Sequence, residues 1–284
     1  MPNKTFAIIA GFLLTFIVAN LFAERRTVLG MSEKKNNNAV KKQMHKKMKI
    51  EIWSDVMCPF CYIGKRNFEA ALAQFPDKEN IEVEWKSFQL DPAIPEVPKY
   101  QDNMYQFVAA RKGISYEQSV AMHGHVEKMA KAAGLDYHFD KMLVTNSLKA
   151  HRLIQMAKTK GLGEKAEERL FYAYFTEGKN LSDDAVLTEL GISIGLTDAE
   201  AKEALTNPVF KNKAEAEAAE ASSLGANGVP FFVIDRKYAI AGAQPDTEML
   251  KVIKSAYAEW KKENPRMLQV TRGATCTPGN DCTH

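Results

Sequence analysis

Two periods of hydrophobicity divide this chain and limit the folds open to it. Apolar and polar residues alternate over Met48–Ser54 and Ile81–Trp85, which predicts two strands, and a helical pattern at Cys58–Phe75 separates them. From about residue 101 to residue 226 nearly every segment has the helical period, with glycines at the breaks. The first part therefore predicts a βαβ unit, and the second an all-helical block.

Strand patterns return after this block. Phe231–Asp235 and Tyr238–Ala243 predict a β-hairpin, and an amphipathic helix follows at Asp246–Glu263. We therefore predict an α/β fold, with βαβ and ββα parts forming one small mixed sheet around a large all-helical insertion. The predicted domain limits are 48–100 with 227–264 for the sheet domain, 101–226 for the insertion, 1–47 for an apolar segment plus basic linker, and 265–284 for a C-terminal tail.

The N-terminal segment leaves the compartment open. Phe6–Ala23 is apolar except for Thr15 and Asn20, at the lower length limit for a membrane-spanning helix. Residues 24–49 carry nine Lys and Arg against two Glu, a net charge of +7, and positive flanks stay in the cytoplasm. We expect a cytoplasmic protein, membrane-anchored if residues 6–23 insert.

Besides a membrane anchor, two other interpretations of this segment are open. A secretory signal peptide at residues 1–23 would place the protein in the periplasm. A translation start at Met31 or Met48 would instead leave the apolar segment outside the protein.

Composition excludes several classes of protein. The 284 residues are 45% hydrophobic and 26% charged and include only four cysteines, which excludes a disordered chain and a disulfide scaffold. A single apolar run excludes a polytopic membrane protein. The formal net charge of +3 provides no basic face for nucleic acid, so we expect no nucleic-acid partner.

The motif Cys58-Pro59-Phe60-Cys61 carries the chemistry. It lies where the first predicted strand ends and the first helix begins, so the unpaired N–H groups of the helix start favour a thiolate at Cys58. Cys61 falls on the same helix face and can resolve a mixed disulfide formed by Cys58. The alternatives are half a zinc site or a structural bridge, but no second Cys pair or His-x₃₋₅-His run supplies the other zinc ligands.

A second clue lies about 170 residues later, at Gly228-Val229-Pro230. This proline stands at the entrance of a predicted strand, where it removes a donor from the ladder, so we expect it to have another role.

Four runs together resemble one family. They are DVMCPFCYIG (55–64), NSLKAHR (146–152), GVPFF (228–232) and AGAQP (241–245), and the resemblance to the FrnE-type branch of the DsbA-like thioredoxin superfamily covers roughly residues 48–262. It implies a thioredoxin fold and a dithiol-disulfide oxidoreductase or isomerase that acts on protein or peptide thiols. It also implies a cellular thiol as reductant, no resident cofactor and no metal, with glutathione as an optional co-substrate.

The resemblance also assigns roles to residues. Cys58 would be the attacking thiol and Cys61 the resolving thiol, and Pro230 would be a cis-proline that leaves the Val229 backbone free to pair with a substrate strand. Phe60 stands where strongly oxidising DsbA proteins have His, so we expect a milder oxidant.

Several other residues are open to two interpretations. Cys276 and Cys282 in the tail form a local or idle pair, or a second redox pair that exchanges electrons with the first. Asp55 satisfies helix-start N–H groups or accepts the proton of Cys61. His151 is a packed or a functional imidazole, whereas His123 and His125 are more typical of a surface than of a metal site.

Four aromatic residues are predicted to surround the cysteines with apolar surface suited to an extended peptide: Phe60, Tyr62, Phe231 and Phe232. Two other functions remain open. A glutathione-dependent isomerase or transferase of the kappa type needs only one thiol or hydroxyl, and a non-catalytic chaperone or binding module would need neither cysteine.

Overall fold

The computed structural model describes residues 46–96 and 103–265. Four strands form one sheet in the order β2-β1-β3-β4. The strands are β1 (Met48–Ser54), β2 (Ile81–Ser87), β3 (Phe231–Ile234) and β4 (Tyr238–Ala241). β1 pairs in parallel with β2 and antiparallel with β3, which in turn pairs antiparallel with β4.

Nine helices accompany the sheet in the described residues. They are α1 (Pro59–Ala73), α2 (Met104–Lys112), α3 (Tyr116–Ala132), α4 (Leu148–Thr159), α5 (Gly163–Phe175), α6 (Asp184–Ile194), α7 (Asp198–Thr206), α8 (Pro208–Ser223) and α9 (Asp246–Glu263). The seven from α2 to α8 lie between β2 and β3 in the chain. This confirms the predicted α/β fold with a helical insertion.

Local sequence explains the ends of these helices. Capping boxes begin three of the insertion helices, at Asn103 with Gln106, at Ser115 with Gln118 and at Thr197 with Glu200. The insertion is not helical throughout, however. Residues 133–147 form an irregular segment between α3 and α4, and several of its apolar side chains are buried.

The two faces of the sheet are covered by different elements. Met48, Ile50 and Ile52 of β1 pack with side chains of α1 and α9. On the opposite face, Trp53 packs against Phe231 and against Ala221 of α8. The insertion therefore covers one face of the sheet and extends to the end of β1, where the cysteine motif follows.

An ion-pair cluster fastens α8 to the sheet. Glu51 of β1 is almost fully buried and lies 2.7 Å from Lys86 of β2, and both Lys86 and Arg236 also pair with Glu220 of α8. The two cations lie over the ring of Trp53, at 4.8 Å and 5.8 Å from its centroid. A buried carboxylate is tolerated here because cations on two neighbouring elements pair with it.

Candidate active site

The two cysteines of the motif are both free thiols at the start of α1. Cys58 is the N-cap residue and Pro59 the first helical residue, where its missing N–H costs no hydrogen bond. The helix thus begins one residue later than the predicted Cys58–Phe75 and ends at Ala73. Cys58 is 4% exposed and Cys61 fully buried, so Cys58 is the more accessible of the two.

The buried thiol of Cys61 is less acidic than an ordinary cysteine thiol. Burial, hydrogen bonding to Cys58 and the negative charge of Cys58 together raise the pKa of the Cys61 thiol well above its usual range. Asp55 acts on this pKa in both directions, since its backbone lowers the pKa by hydrogen bonding and its carboxylate raises it. Cys61 therefore needs a proton acceptor before it can act as a nucleophile near neutral pH.

The Val229–Pro230 loop lies against Cys58. Its peptide bond is cis, and the Val229 carbonyl oxygen accepts a hydrogen bond from Cys58 Sγ at 3.5 Å. Pro230 is buried and close to α1, since a Cβ built on Gly64 would lie 3.0 Å from the Pro230 ring. Gly64 therefore lets the proline loop approach the helix of the two cysteines.

Asp55 joins the motif to two distant segments. Its Oδ1 accepts the Met57 N–H at 3.1 Å, and its Oδ2 accepts the Leu90 N–H at 2.6 Å and the Ser147 hydroxyl at 3.1 Å. The carboxyl group is 1% exposed, so these donors replace the water it loses on folding. Met57 precedes the N-cap residue Cys58, so Asp55 accepts an N–H just before the helix and none from its first turn, and the other two donors come from distant segments.

His151 lies on α4 behind Asp55 and is 1% exposed. Its Nε2 is 3.4 Å from Asp55 Oδ1, an ion-pair distance that is long for a hydrogen bond. Burial disfavours the imidazolium, but the carboxylates of Asp55 and Glu167 outweigh it and raise the pKa of His151. Of the two interpretations left open, His151 is packed, and it also faces the acid nearest to Cys61.

Two tyrosines connect the motif to the insertion. The Tyr137 hydroxyl donates to the Pro59 carbonyl oxygen at 2.8 Å. Tyr62 stacks on Phe171 of α5 with 4.7 Å between ring centroids and donates a hydrogen bond to Glu168. The backbone of the motif is thereby held by residues of the irregular segment and of α5.

A cavity of about 470 Å³ opens beside Cys58, and we call it the Cys58 cavity. Most of its lining is apolar and comes from the insertion, with four methionines and with Arg111 and Lys112 at the edge of α2. The methionines are Met57, Met104, Met122 and Met142. Methionine side chains are flexible and polarisable, and such linings accommodate apolar groups of different shape.

The predicted ring of four aromatic residues is wrong for three of them. Phe60 is exposed and lines the Cys58 cavity, as expected. Tyr62 instead points into the insertion core, and Phe231 and Phe232 point to opposite faces of the sheet. Successive residues of a strand alternate in direction, so the two phenylalanines cannot both face the cysteines.

His123 is also placed differently from the prediction. It is buried and not on the surface, its Nδ1 is 2.7 Å from the Ser119 carbonyl oxygen, and its ring meets Phe139 nearly edge-on. His125 is exposed, as expected. Within residues 46–96 and 103–265, no three His, Cys, Asp or Glu side chains are placed to hold one metal ion.

Some predictions fall outside the described residues. They concern the apolar segment 6–23, the basic linker up to residue 45, and Cys276 and Cys282 of the tail. In the part of the chain that the structure describes, no helix has the length and hydropathy needed to cross a membrane. The second redox pair and the predicted domain limits stay predictions.

Comparison with known proteins decides the family. The model of the DSBA-like thioredoxin domain family matches residues 49–254. The chain belongs to this family. The match includes the cysteine motif, the insertion and the Val229–Pro230 loop, so the resemblance stated from the four sequence runs is confirmed at the level of this family.

Three relatives illustrate the relationship. A probable DsbA oxidoreductase from Streptomyces coelicolor is 33% identical, and its structure matches with a TM-score of 0.71 over 84% of this chain and 99% of that chain. YwbO, an uncharacterized protein of Bacillus subtilis (strain 168), is 29% identical over 190 residues, which are 65% of this chain and 86% of YwbO. The cytosolic disulfide reductase DsbM of Pseudomonas aeruginosa, 19% identical, shares the fold with a TM-score of 0.52 over 76% of this chain and 98% of DsbM.

Proposed function

We propose that the protein is a FrnE-type thiol-disulfide oxidoreductase or isomerase that exchanges disulfides in protein substrates through Cys58 and Cys61. The observation that carries this proposal is the unequal placement of two free thiols. Cys58 caps the helix, borders a cavity and contacts the Val229 carbonyl, whereas Cys61 is buried three residues later. An attacking thiol that lines a cavity and a resolving thiol that is fully buried suit dithiol exchange.

The reaction runs in two exchanges. The Cys58 thiolate attacks one sulfur of a substrate disulfide, a Cys58–substrate bond forms, and the other substrate sulfur leaves as a thiolate and takes up a proton. Cys61 then loses its proton and attacks Cys58 Sγ, which forms the Cys58–Cys61 disulfide and releases the second substrate sulfur. The substrate gains two electrons and the enzyme loses two, and a cellular thiol restores the dithiol. The reverse sequence oxidises a substrate dithiol.

The surroundings of Cys58 favour an extended polypeptide as substrate. Among the described residues the Val229 N–H has no hydrogen-bond acceptor, so Val229 and Pro230 offer a short backbone edge beside the reactive sulfur. The apolar Cys58 cavity next to this edge would take an apolar side chain of the same polypeptide. Shape and apolarity together support peptide recognition.

Glutathione-dependent chemistry is the second candidate. Arg111 and Lys112 at the cavity edge could pair with the carboxylates of glutathione, although Arg111 already forms an ion pair with Asp91. With both cysteines present, we expect glutathione to act as a co-substrate and not as the cofactor of an isomerase or transferase.

For the compartment, we propose the cytoplasmic side, because the net charge of +7 over residues 24–49 opposes translocation. A reducing compartment would favour reductase or isomerase work. Alkylation of Cys58 in intact cells by a membrane-impermeant reagent tests this, since labelling without lysis would place the active site outside the cytoplasm.

The decisive experiment is a redox titration of the full chain in glutathione buffers, with the Cys58–Cys61 and Cys276–Cys282 disulfides quantified separately by peptide mass spectrometry. We expect reversible closure of Cys58–Cys61 between the thioredoxin and DsbA potentials, about −270 to −120 mV. A pair that never closes, or that stops as a glutathione adduct at Cys58, would overturn dithiol exchange.

Two variants extend this experiment. Cys61→Ser should accumulate a mixed disulfide at Cys58 with a peptide disulfide, and Cys58→Ser should not. The double variant Cys58→Ala, Cys61→Ala separates catalysis from binding, because full activity in that variant would favour the non-catalytic chaperone.

A further inference from the structure

Four buried polar side chains lie together on the Cys61 side of the motif, and we call them the Cys61 polar cluster. Ser54 and Asp55 follow from the end of β1, His151 comes from α4 and Glu167 from α5. Each of the four is at most 2% exposed. Two of them therefore come from the helical insertion and are brought to the sheet domain only by tertiary packing.

This cluster is incompletely hydrogen-bonded. Among the described residues, Ser54 Oγ, both ring nitrogens of His151 and Glu167 Oε1 have no partner of normal hydrogen-bond geometry. An unpaired buried polar atom costs about 1–3 kcal/mol, so four such atoms in one place are expensive to keep. Hydrogen bonds of catalytic groups are often long before substrate binds and tighten during the reaction.

Charged groups approach the cluster from several elements. The pKa of His151 is raised by the negative charges of Asp55, Glu167 and, from α8, Glu217. The pKa of Glu167 is lowered by the positive charge of Lys65 of α1. Burial raises the pKa of the Glu167 carboxyl, and the opposing effects of Ser54 and His151 do not cancel it. Glu167 is thus a carboxyl that can exchange a proton closer to neutral pH than an exposed glutamate does.

The cluster also adjoins Cys61. The backbone of Asp55 lowers the pKa of the Cys61 thiol by hydrogen bonding and the Asp55 carboxylate raises it, so Asp55 lies next to this thiol. The next group is His151, whose Nε2 is 3.4 Å from Asp55 Oδ1, and Glu167 follows on the neighbouring helix. The charges of Asp55, His151 and Glu167 therefore act on one another from beside Cys61 into the insertion.

We propose that Asp55, His151 and Glu167 form a proton relay for Cys61, in which Glu167 stores the proton that Cys61 releases. This inference rests on the proposed function. Cys61 gives its proton to the Asp55 carboxylate, the His151 imidazolium gives a proton to the Glu167 carboxylate, and His151 then takes the proton from Asp55. Before these transfers Cys61 is a thiol and Glu167 a carboxylate, and after them Cys61 is a thiolate and Glu167 a neutral carboxyl. The total charge is therefore unchanged and no electrons move.

The relay supplies the proton acceptor that Cys61 needs in the second exchange. The Cys61 thiolate attacks Cys58 Sγ, and the substrate sulfur leaves toward the Cys58 cavity. In the opposite direction the same groups return a proton to Cys61 when the Cys58–Cys61 disulfide is reduced. His151 and Glu167 are positioning residues, since they act on Cys61 only through Asp55.

The test follows the two thiols separately in one reaction. Reduced protein carrying Cys276→Ser and Cys282→Ser is mixed with dithiobis(nitrobenzoate) in a stopped-flow instrument. The first nitrothiobenzoate released reports attack by Cys58, and the second reports attack by Cys61. The variants are Glu167→Gln and His151→Gln, and the matched control is Glu164→Gln, an exposed glutamate on the same helix.

We expect the second release to slow about 10²-fold at neutral pH in Glu167→Gln and His151→Gln, the usual contribution of a positioned base. The first release should be unchanged, and Glu164→Gln should match the parent. Above the raised pKa of Glu167 the parent relay can accept a proton, so its second release should be fast from that pH upward. In Glu167→Gln the fast region should move to the higher pH at which Cys61 ionises by itself. Glu167→Asp should recover part of the rate.

Other results would overturn the relay. These are second releases with the parent's rate and pH profile in both variants, or equal slowing of both releases, which indicates a structural role. If one variant fails to fold, the other carries the test, since both substitutions replace a side chain by an amide of similar size. A parent protein that releases only one nitrothiobenzoate would instead refute dithiol exchange itself, so the two failures are distinguishable.

Discussion

The Cys58 cavity is lined mostly by apolar and flexible side chains, whereas the Cys61 polar cluster consists of four buried polar ones. Cys58 and Cys61 are separated by only two residues, but the insertion, together with the end of β1, surrounds each with different side chains. An apolar cavity can receive a substrate side chain, and a buried polar cluster can hold charge and protons. The difference teaches that the motif fixes the spacing of the thiols, while tertiary packing gives each a different environment.

Asp55 borders both regions, and its removal should have the largest effect on stability. Asp55→Ala leaves the Leu90 N–H, the Ser147 hydroxyl and His151 without their shared acceptor. We expect a loss of about 3 kcal/mol in the free energy of unfolding, measured by urea denaturation.

The control for this variant is Asp91→Ala at the edge of the cavity. Asp91 forms an ion pair with the exposed Arg111 and should contribute less than about 1 kcal/mol. Equal losses in the two variants would contradict the special position of Asp55.

A charge in the Cys58 cavity should affect substrate binding more than chemistry. Met122 is half-buried in the cavity lining, and Met122→Lys should raise the KM for an apolar peptide disulfide about tenfold, equivalent to about 1.4 kcal/mol. The value of kcat, and the reaction with a small hydrophilic disulfide, should change little. Val209→Lys, on an exposed apolar residue outside the cavity lining, is the control. An unchanged KM in Met122→Lys would show that the cavity does not receive the substrate.

Two glycine variants probe the packing of the Val229–Pro230 loop. Gly64→Ala places a Cβ 3.0 Å from the Pro230 ring and should destabilise the protein by about 1 kcal/mol. Gly124→Ala, in α3 with no atom within 4 Å of the new Cβ, should stabilise it by about 0.5–1 kcal/mol. The opposite changes in the free energy of unfolding are measurable by urea denaturation. A stabilising Gly64→Ala would refute the close approach of loop and helix.

The smallest expected effect is a change in the pH dependence of stability. The pKa of His151 is raised on folding, so its contribution is complete below its unfolded pKa of about 6.5 and is lost as the pH rises through the folded pKa. The raised pKa of Glu167 acts in the same direction. His151→Gln should therefore lose less stability than the parent as the pH rises above about 6.5. Parallel urea-midpoint curves for parent and variant would contradict this.

Much of the fold could be predicted from periodicity. β1 and α9 have the predicted limits, and β2, β3 and β4 differ by two residues or fewer at one end. The hairpin turn illustrates the remaining error, because Asp235 and Arg236 have positive φ and end β3 one residue early. Hydrophobic alternation indicates which face of the sheet a residue occupies, but it does not indicate where the hydrogen bonds between neighbouring strands end.

The site could be predicted where a sequence motif marks its residues, as at Cys58–Cys61 and at Val229–Pro230. For Asp55 the sequence offers two partners, the helix start and Cys61, whereas for His151 it indicates no partner. Tyr137 and the cavity methionines come from segments whose approach depends on tertiary packing. Glu167 did leave a signal in the sequence, since it shares one helix stripe with Leu170, Phe171 and Tyr174, which are all buried. An acidic residue in such a stripe indicates a buried carboxyl.

The pairing of β1 with β3 has a consequence for biosynthesis. Ile50 pairs with Ile234, so the sheet closes only after the entire insertion has been made. A ribosome delivers the two cysteines first and Val229 more than 160 residues later, and contacts between such distant segments form late in folding. A nascent chain therefore holds the two thiols without the Val229–Pro230 loop beside them. Completion of the chain is the event that brings Val229 to Cys58.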